Sequence, residues 1–137
     1  MATQLISEDT RGVFPIAATP FSEDGSVDFE SIDSLVDFYL ESGAHGLTIL
    51  GMMGEAHKLS DAESTKIIGR VMRRIDQSIP VVVGVSSPSM LKVADLSKAA
   101  MDEGCAGIMI TPMSGLKTES QVLGYFDTVF ADRKSVV

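Results

Sequence analysis

With 137 residues, 45% of them hydrophobic and 22% charged, the chain is long enough for a single domain with a core of its own. A net charge of −8 without a basic cluster argues against binding nucleic acid or an anionic membrane surface. No apolar run nears the roughly 20 residues of a membrane span, residues 1–12 do not read as a secretion signal, and Cys105 stands alone without metal-ligand spacing. A soluble cytoplasmic protein with no metal or other cofactor is expected.

The first predicted strand is VFPIAA, residues 13–18, ended by Thr19-Pro20. A turn at residues 22–26 leads to Asp28 as N-cap, with Val27 and Ile32 spaced as a hydrophobic staple. Ile32, Leu35, Val36, Tyr39 and Leu40 recur at helical period, and Gly43 suits the position just past the helix end. GLTIL, residues 46–50, reads as the second strand. A capping box at Ser60 and Glu63 opens the next helix, which carries Ile67, Ile68, Val71, Met72 and Ile75.

PVVVGV, residues 80–85, is apolar on both faces, as a parallel strand covered on both sides should be. Ser86 and Ser87 are expected to cap the following helix, residues 89–103, with Pro88 at its first position. GIMI, residues 107–110, is the fourth strand, and a second capping box at Thr118 and Gln121 opens a last helix through Val122, Tyr125, Phe126 and Val129.

Four strand–helix units in succession predict an α/β fold with a parallel sheet. The segments ESGAHGLTI (41–49) and DEGCAGIMI (102–110) align over nine positions, Gly43 on Gly104 and Gly46 on Gly107. Units repeating at this scale suit a (β/α) barrel, of which these are about four of eight, in one domain spanning residues 1–137. A complete barrel takes about 250 residues. The chain therefore reads as a truncated piece of a longer barrel, or as a half-barrel that pairs with another to close its two open sheet edges.

Chemistry in such folds gathers at the C-terminal ends of the strands. Those ends are Thr19-Pro20-Phe21, the turn Gly51-Met52-Met53-Gly54-Glu55, Ser86-Ser87-Pro88, and Thr111-Pro112-Met113-Ser114. A doubly wound phosphate-binding domain would instead need a G-x-G-x-x-G loop opening directly into a helix, and here the loop is G-x-x-G-E with the helix starting only at Ser60.

The segments PIAATPF…DGSVD, GAHGLTILGMMGEAHKLSDAE, PVVVGV and AGIMITP, in that order, resemble the dihydrodipicolinate synthase and N-acetylneuraminate lyase superfamily across residues 11–131. The resemblance implies a TIM barrel, a homotetramer, and a pyruvate-dependent class I aldolase or lyase working through a lysine Schiff base on pyruvate or another 2-oxo acid. It also implies that the turn at 51–55 holds the pyruvate carboxylate through its backbone amides and hydroxyls. The family's hydroxyl relay is replaced by Met52 and Met53, and its Thr-Pro-Tyr-Tyr loop reads Thr111-Pro112-Met113-Ser114.

The family's lysine lies on a sixth strand that four units do not reach. Lys58, Lys66, Lys92, Lys98, Lys117 and Lys134 all fall in helices, loops or the tail, so the chain is expected to be inactive alone.

The residues expected to bind substrate are Gly51, Met52, Met53, Gly54, Glu55, Thr19, Thr111 and Met113. The three methionines either line an apolar pocket or fill space at the barrel mouth. Glu55 is read as structural, satisfying turn amides or pairing with a neighbour, and Thr19 as reaching toward the turn or capping its own strand. His57 is the candidate for proton transfer, weighed against a plain surface histidine. A non-catalytic binder of 2-oxo acids or other small molecules on the same scaffold is the alternative function.

Overall fold

The computed structural model describes residues 5–131. In chain order its elements are α1 (Phe29–Glu41), β1 (Leu47–Ile49), α2 (Asp61–Ile75), β2 (Val81–Gly84), α3 (Met90–Asp102), β3 (Gly107–Met109) and α4 (Glu119–Ala131), with a single 3-10 turn at Ala56–Lys58.

Helix starts follow the predicted chemistry. The Asp28 carboxylate accepts the N–H groups of Glu30 and Ser31, with Val27 and Ile32 buried at the root of α1. Ser60 and Glu63 close a reciprocal capping box on α2, and Thr118 and Gln121 do the same on α4 at 3.2 Å in each direction. α3 departs from expectation. Its N-cap is Ser89, which accepts the N–H of Lys92, so Pro88 precedes the cap instead of opening the helix. Ser87 serves this turn by accepting the N–H of Ser89, and Ser86 takes no part in capping.

The internal echo is one helix stop used twice. Gly43 (φ 74°) and Ala44 donate to the carbonyls of Leu40 and Tyr39, both at 3.1 Å; Gly104 (φ 86°) and Cys105 donate to Met101 and Ala100, both at 3.0 Å. Each is a Schellman motif, and each feeds a strand of the same sheet. Cys105 packs in the core, where burial, reinforced by Glu103, pushes its thiol up to about 12.

The three strands are parallel in the order β1-β2-β3. The segment predicted as the first strand lies beside β1 but joins it only through the bridge Ile16–Thr48, where Thr48 N–H donates to Pro15 O and Ala17 N–H to Thr48 O. A ladder needs a further N–H at position 15, which proline lacks, and beyond Ala17 the partner strand ends at Leu50, whose φ of 55° leaves the extended region. The expected six-residue strand is thus cut on both sides to one bridge.

Register divides the sheet into two faces. Leu47, Ile49, Val81, Val83 and Ile108 pack in one buried core with Ile32 and Val36 of α1 and Ile67, Ile68, Val71 and Ile75 of α2. The opposite face carries the row Ile16, Thr48, Val82 and Gly107, followed by Gly84 beside Met109. Here Ile16 is 47% and Met109 36% exposed. The two-sided cover expected for residues 80–85 therefore exists on the helix side, while Val82 on the other face is half-buried.

α1 and α2 are also laced by two parallel ion pairs. Arg70 grips Asp33 through Nε and Nη2 at 2.7 Å each, and one turn further Arg74 grips Asp37 at 2.7 and 2.5 Å. The guanidinium hydrogen bonds hold both carboxyls below the usual carboxylate range. A depressed folded-state pKa contributes stability above the unfolded-state value of about 4 that is lost as pH falls through the folded one. The melting temperature is therefore expected to fall on acidification below about pH 4. Replacing both arginines, R70M with R74M, should flatten that decline, and an unchanged slope in the double variant would refute the assignment.

Candidate functional site

The turn at residues 50–55 lies at the C-terminal end of β1. Its left-handed residues are Leu50 (φ 55°) and Glu55 (φ 52°), and the glycines between them serve close approach. A Cβ on Gly54 would stand 3.1 Å from Leu50 N and 3.2 Å from Ala17 O; one on Gly51 would stand 3.2 Å from Ile16 Cγ2 and 3.4 Å from Met109 Cε. The turn is thus folded onto its own start and over the face of the sheet away from the helices. A third glycine outside the predicted site completes the fit. A Cβ on Gly84 of β2 would be 2.2 Å from the Leu50 carbonyl oxygen, so the turn crosses β2 at a residue with no side chain.

Thr19, buried beside the turn, donates through Oγ1 to the Gly54 carbonyl at 2.6 Å. Glu55 N–H donates to Met52 O at 3.0 Å. Among the described residues, the N–H groups of Gly51, Met52, Met53 and Gly54 meet no acceptor. Four donors in consecutive positions, within a turn held by Thr19 and Gly84, can receive an anionic group.

Glu55 is paired with Lys58, three residues on in the same turn; the Lys58 hydrogen bond, then its charge, holds the Glu55 carboxyl below its ordinary range. His57 is exposed on the 3-10 turn. Met52 is 89% exposed and Met53 is exposed as well, whereas Met113 is half-buried. Lys58, Lys66, Lys98 and Lys117 are exposed and Lys92 is half-buried against Asp61; Lys134 lies outside the described residues. Among the described residues no group of three metal-ligating side chains occurs, and no helix is long and apolar enough to cross a membrane.

Thr111 is not isolated at its strand end. Its N–H donates to Ser86 Oγ at 2.9 Å and its Oγ1 donates to the same atom at 3.2 Å, tying the loop after β3 to the loop after β2. Ser86 and Thr111 each stand two residues past the last registered pair, Gly84 and Met109, so the parallel register of β2 and β3 brings the two loops together.

Comparison with known proteins agrees with this architecture. The model of the dihydrodipicolinate synthetase family matches residues 9–136. The chain is 41% identical over 100 residues to 4-hydroxy-tetrahydrodipicolinate synthase of Sorangium cellulosum, covering 72% of this chain and 33% of that protein. Dihydrodipicolinate synthase from Rhodopseudomonas palustris superposes with a TM-score of 0.89 at 41% identity, over 93% of this chain and 42% of that one. YagE, a prophage protein of the dihydrodipicolinic acid synthase family from E. coli K12, solved in complex with pyruvate, gives a TM-score of 0.81 at 28% identity over 89% and 41%. The chain thus spans well under half the length of these relatives.

Proposed function

The chain belongs to the dihydrodipicolinate synthetase family, and from that membership we propose that it supplies the carboxylate-binding half of a Schiff-base lyase or aldolase site for pyruvate or another 2-oxo acid. The observation that carries this reading is the run of four uncommitted N–H donors at Gly51, Met52, Met53 and Gly54, in a turn held by Thr19 and Gly84. Thr111 and Met113 border the same strand ends. The chain itself contributes no nucleophile in this reading, since an imine-forming lysine needs a desolvated pocket and none of the described lysines is buried. The lysine would come from a later strand of a complete barrel or from a paired half. The open sheet face carrying Ile16 and Met109 is where such a half would pack, in a homo-oligomeric, cofactor-free cytoplasmic enzyme.

The second reading, a non-catalytic binder of 2-oxo acids, is favoured by the methionines at 52, 53 and 113, which offer no hydroxyl for a proton relay. Both readings require the turn to bind a carboxylate, and the first test addresses that. Titration of the 137-residue chain with pyruvate is expected to shift the backbone amide resonances of residues 51–54. Borohydride treatment of the same mixture is expected to leave the intact mass unchanged. A mass increase of one reduced pyruvate would overturn the absence of a nucleophile, and unmoved amides would overturn the carboxylate site. A binder and a half-enzyme part company when a lysine-bearing second half is added: only the latter then traps pyruvate.

A further inference from the structure

The segment at 13–18 is held to β1 by its odd-numbered residues alone. Val13 N–H donates to His45 Nδ1 at 3.1 Å, and Val13 O accepts the N–H of His45 at 3.0 Å. Pro15 O accepts from Thr48 at 2.9 Å, and Ala17 N–H donates to Thr48 O at 2.8 Å. Successive residues of an extended segment turn their backbone groups to opposite sides. Phe14, Ile16 and Ala18 therefore face away from β1, and among the described residues their N–H groups and carbonyls have no backbone partner. The missing N–H of Pro15 falls on the side facing β1, so the outward row is uninterrupted.

The opposite edge of the sheet is of the same kind. β3 pairs with β2 alone. Met109 O accepts the N–H of Val85 at 3.0 Å, so Ile110, the next residue, turns its backbone groups outward, and among the described residues its N–H has no backbone partner. Beside this edge lies a cavity of about 260 Å³ lined by Ile6, Val82, Met109, Ile110, Phe126 and Phe130. Folded proteins commonly blunt an exposed edge with charged side chains, yet residues 13–18 and 107–110 contain none.

The two edges run parallel to one another, because Ile16 bridges to Thr48 in the same sense in which β1, β2 and β3 pair. A lone extended peptide covers one edge and leaves the other open. A second copy of this chain covers both at once, because each copy brings the complement of the edge it lacks. Three strands and the bridged segment from each copy then make the eight strands of a closed barrel, and closure alone removes every edge.

We infer that this chain associates with a second copy as a twofold dimer, in which residues 14–18 of each copy pair in parallel with residues 107–110 of the other. The inference is independent of the carboxylate site.

The test is sedimentation equilibrium of the 137-residue chain over a dilution series, with amide exchange read on the same samples. The parent is expected to sediment at twice 14.6 kDa, with slowed exchange at Phe14, Ile16 and Ala18. Ile16→Pro removes one outward N–H and leaves both hydrogen bonds of the bridge, which use Pro15 O and Ala17 N–H. It is expected to raise the dimer dissociation constant about tenfold, since the bond is lost at both junctions. Ile16→Lys keeps the backbone donor and sets a charge on a side chain 47% exposed in the single chain, so it should weaken the dimer without unfolding the protein. A parent that sediments at 14.6 kDa at every concentration overturns the inference. So does a dimer that Ile16→Lys leaves intact, or one without slowed exchange at those three amides. Assemblies that keep growing with concentration would mean that the edges pair without closing, and would overturn the twofold arrangement. Pyruvate shifts at residues 51–54 are recorded separately, so the carboxylate site stands or falls on its own.

Discussion

Gly84→Ala is expected to be strongly destabilising although it adds a single methyl. The new Cβ would sit 2.2 Å from Leu50 O, 2.8 Å from Leu50 C and 3.1 Å from Gly51 N, all backbone atoms with no rotamer to change. Relief requires either β2 or the turn to move. β2 is the central strand, paired on both sides, so the turn is the part that yields. Overpacking of this kind costs about 3 kcal/mol at the upper end of the usual range. Urea denaturation should show that loss, and the amide shifts of residues 50–55 should move while those of α2 stay in place.

A companion variant calibrates the effect. Gly25→Ala has open space around the added methyl, and only its positive φ of 85° opposes the change, so it should cost about 1 kcal/mol. A Gly84→Ala variant no less stable than Gly25→Ala, with unmoved turn resonances, would disprove the close contact between β2 and the turn.

Ile68→Ala should produce the second large loss, for the opposite reason. Ile68 is 0% exposed at the centre of the face that α2 lays on the sheet. Removing three carbons there forfeits their transfer energy and leaves a cavity, about 2–5 kcal/mol together. A domain of this size holds about 5–15 kcal/mol in all, so the variant should unfold at markedly lower urea concentration. Leu123→Ala, which shortens a side chain 57% exposed on α4, should change the midpoint little. The pair separates burial from mere hydrophobicity, and equal effects at the two positions would contradict the core described above.

Local sequence determined a good deal of this protein. Asp28, Ser60 and Thr118 start helices because their side chains satisfy N–H groups within three residues, an interaction that depends on nothing distant. Gly43 and Gly104 stop two helices because glycine takes the left-handed φ without the steric cost of a Cβ, and the repeated stop already marked a repeating unit. The valines at 81, 83 and 85 marked a buried parallel strand, and the order of landmarks marked the family.

What the tertiary structure decided concerns contacts between segments far apart in the chain. The segment at 13–18 has strand-like composition, yet its pairing depends on which N–H meets which carbonyl of β1, and Pro15 and Leu50 together reduce that pairing to one bridge. Ser86 reads in sequence as a cap for the helix that follows, and only the juxtaposition of the β2 and β3 ends gave it Thr111 instead. Gly84 reads in sequence as an interruption in a run of valines. Its role exists because the Leu50 carbonyl, 34 positions earlier, occupies the volume a side chain would need. Helix caps and periodicity are short-range and survive in any fold; the shape of the turn at 50–55 is set by excluded volume and hydrogen bonds across strands, which come into being only when the sheet forms.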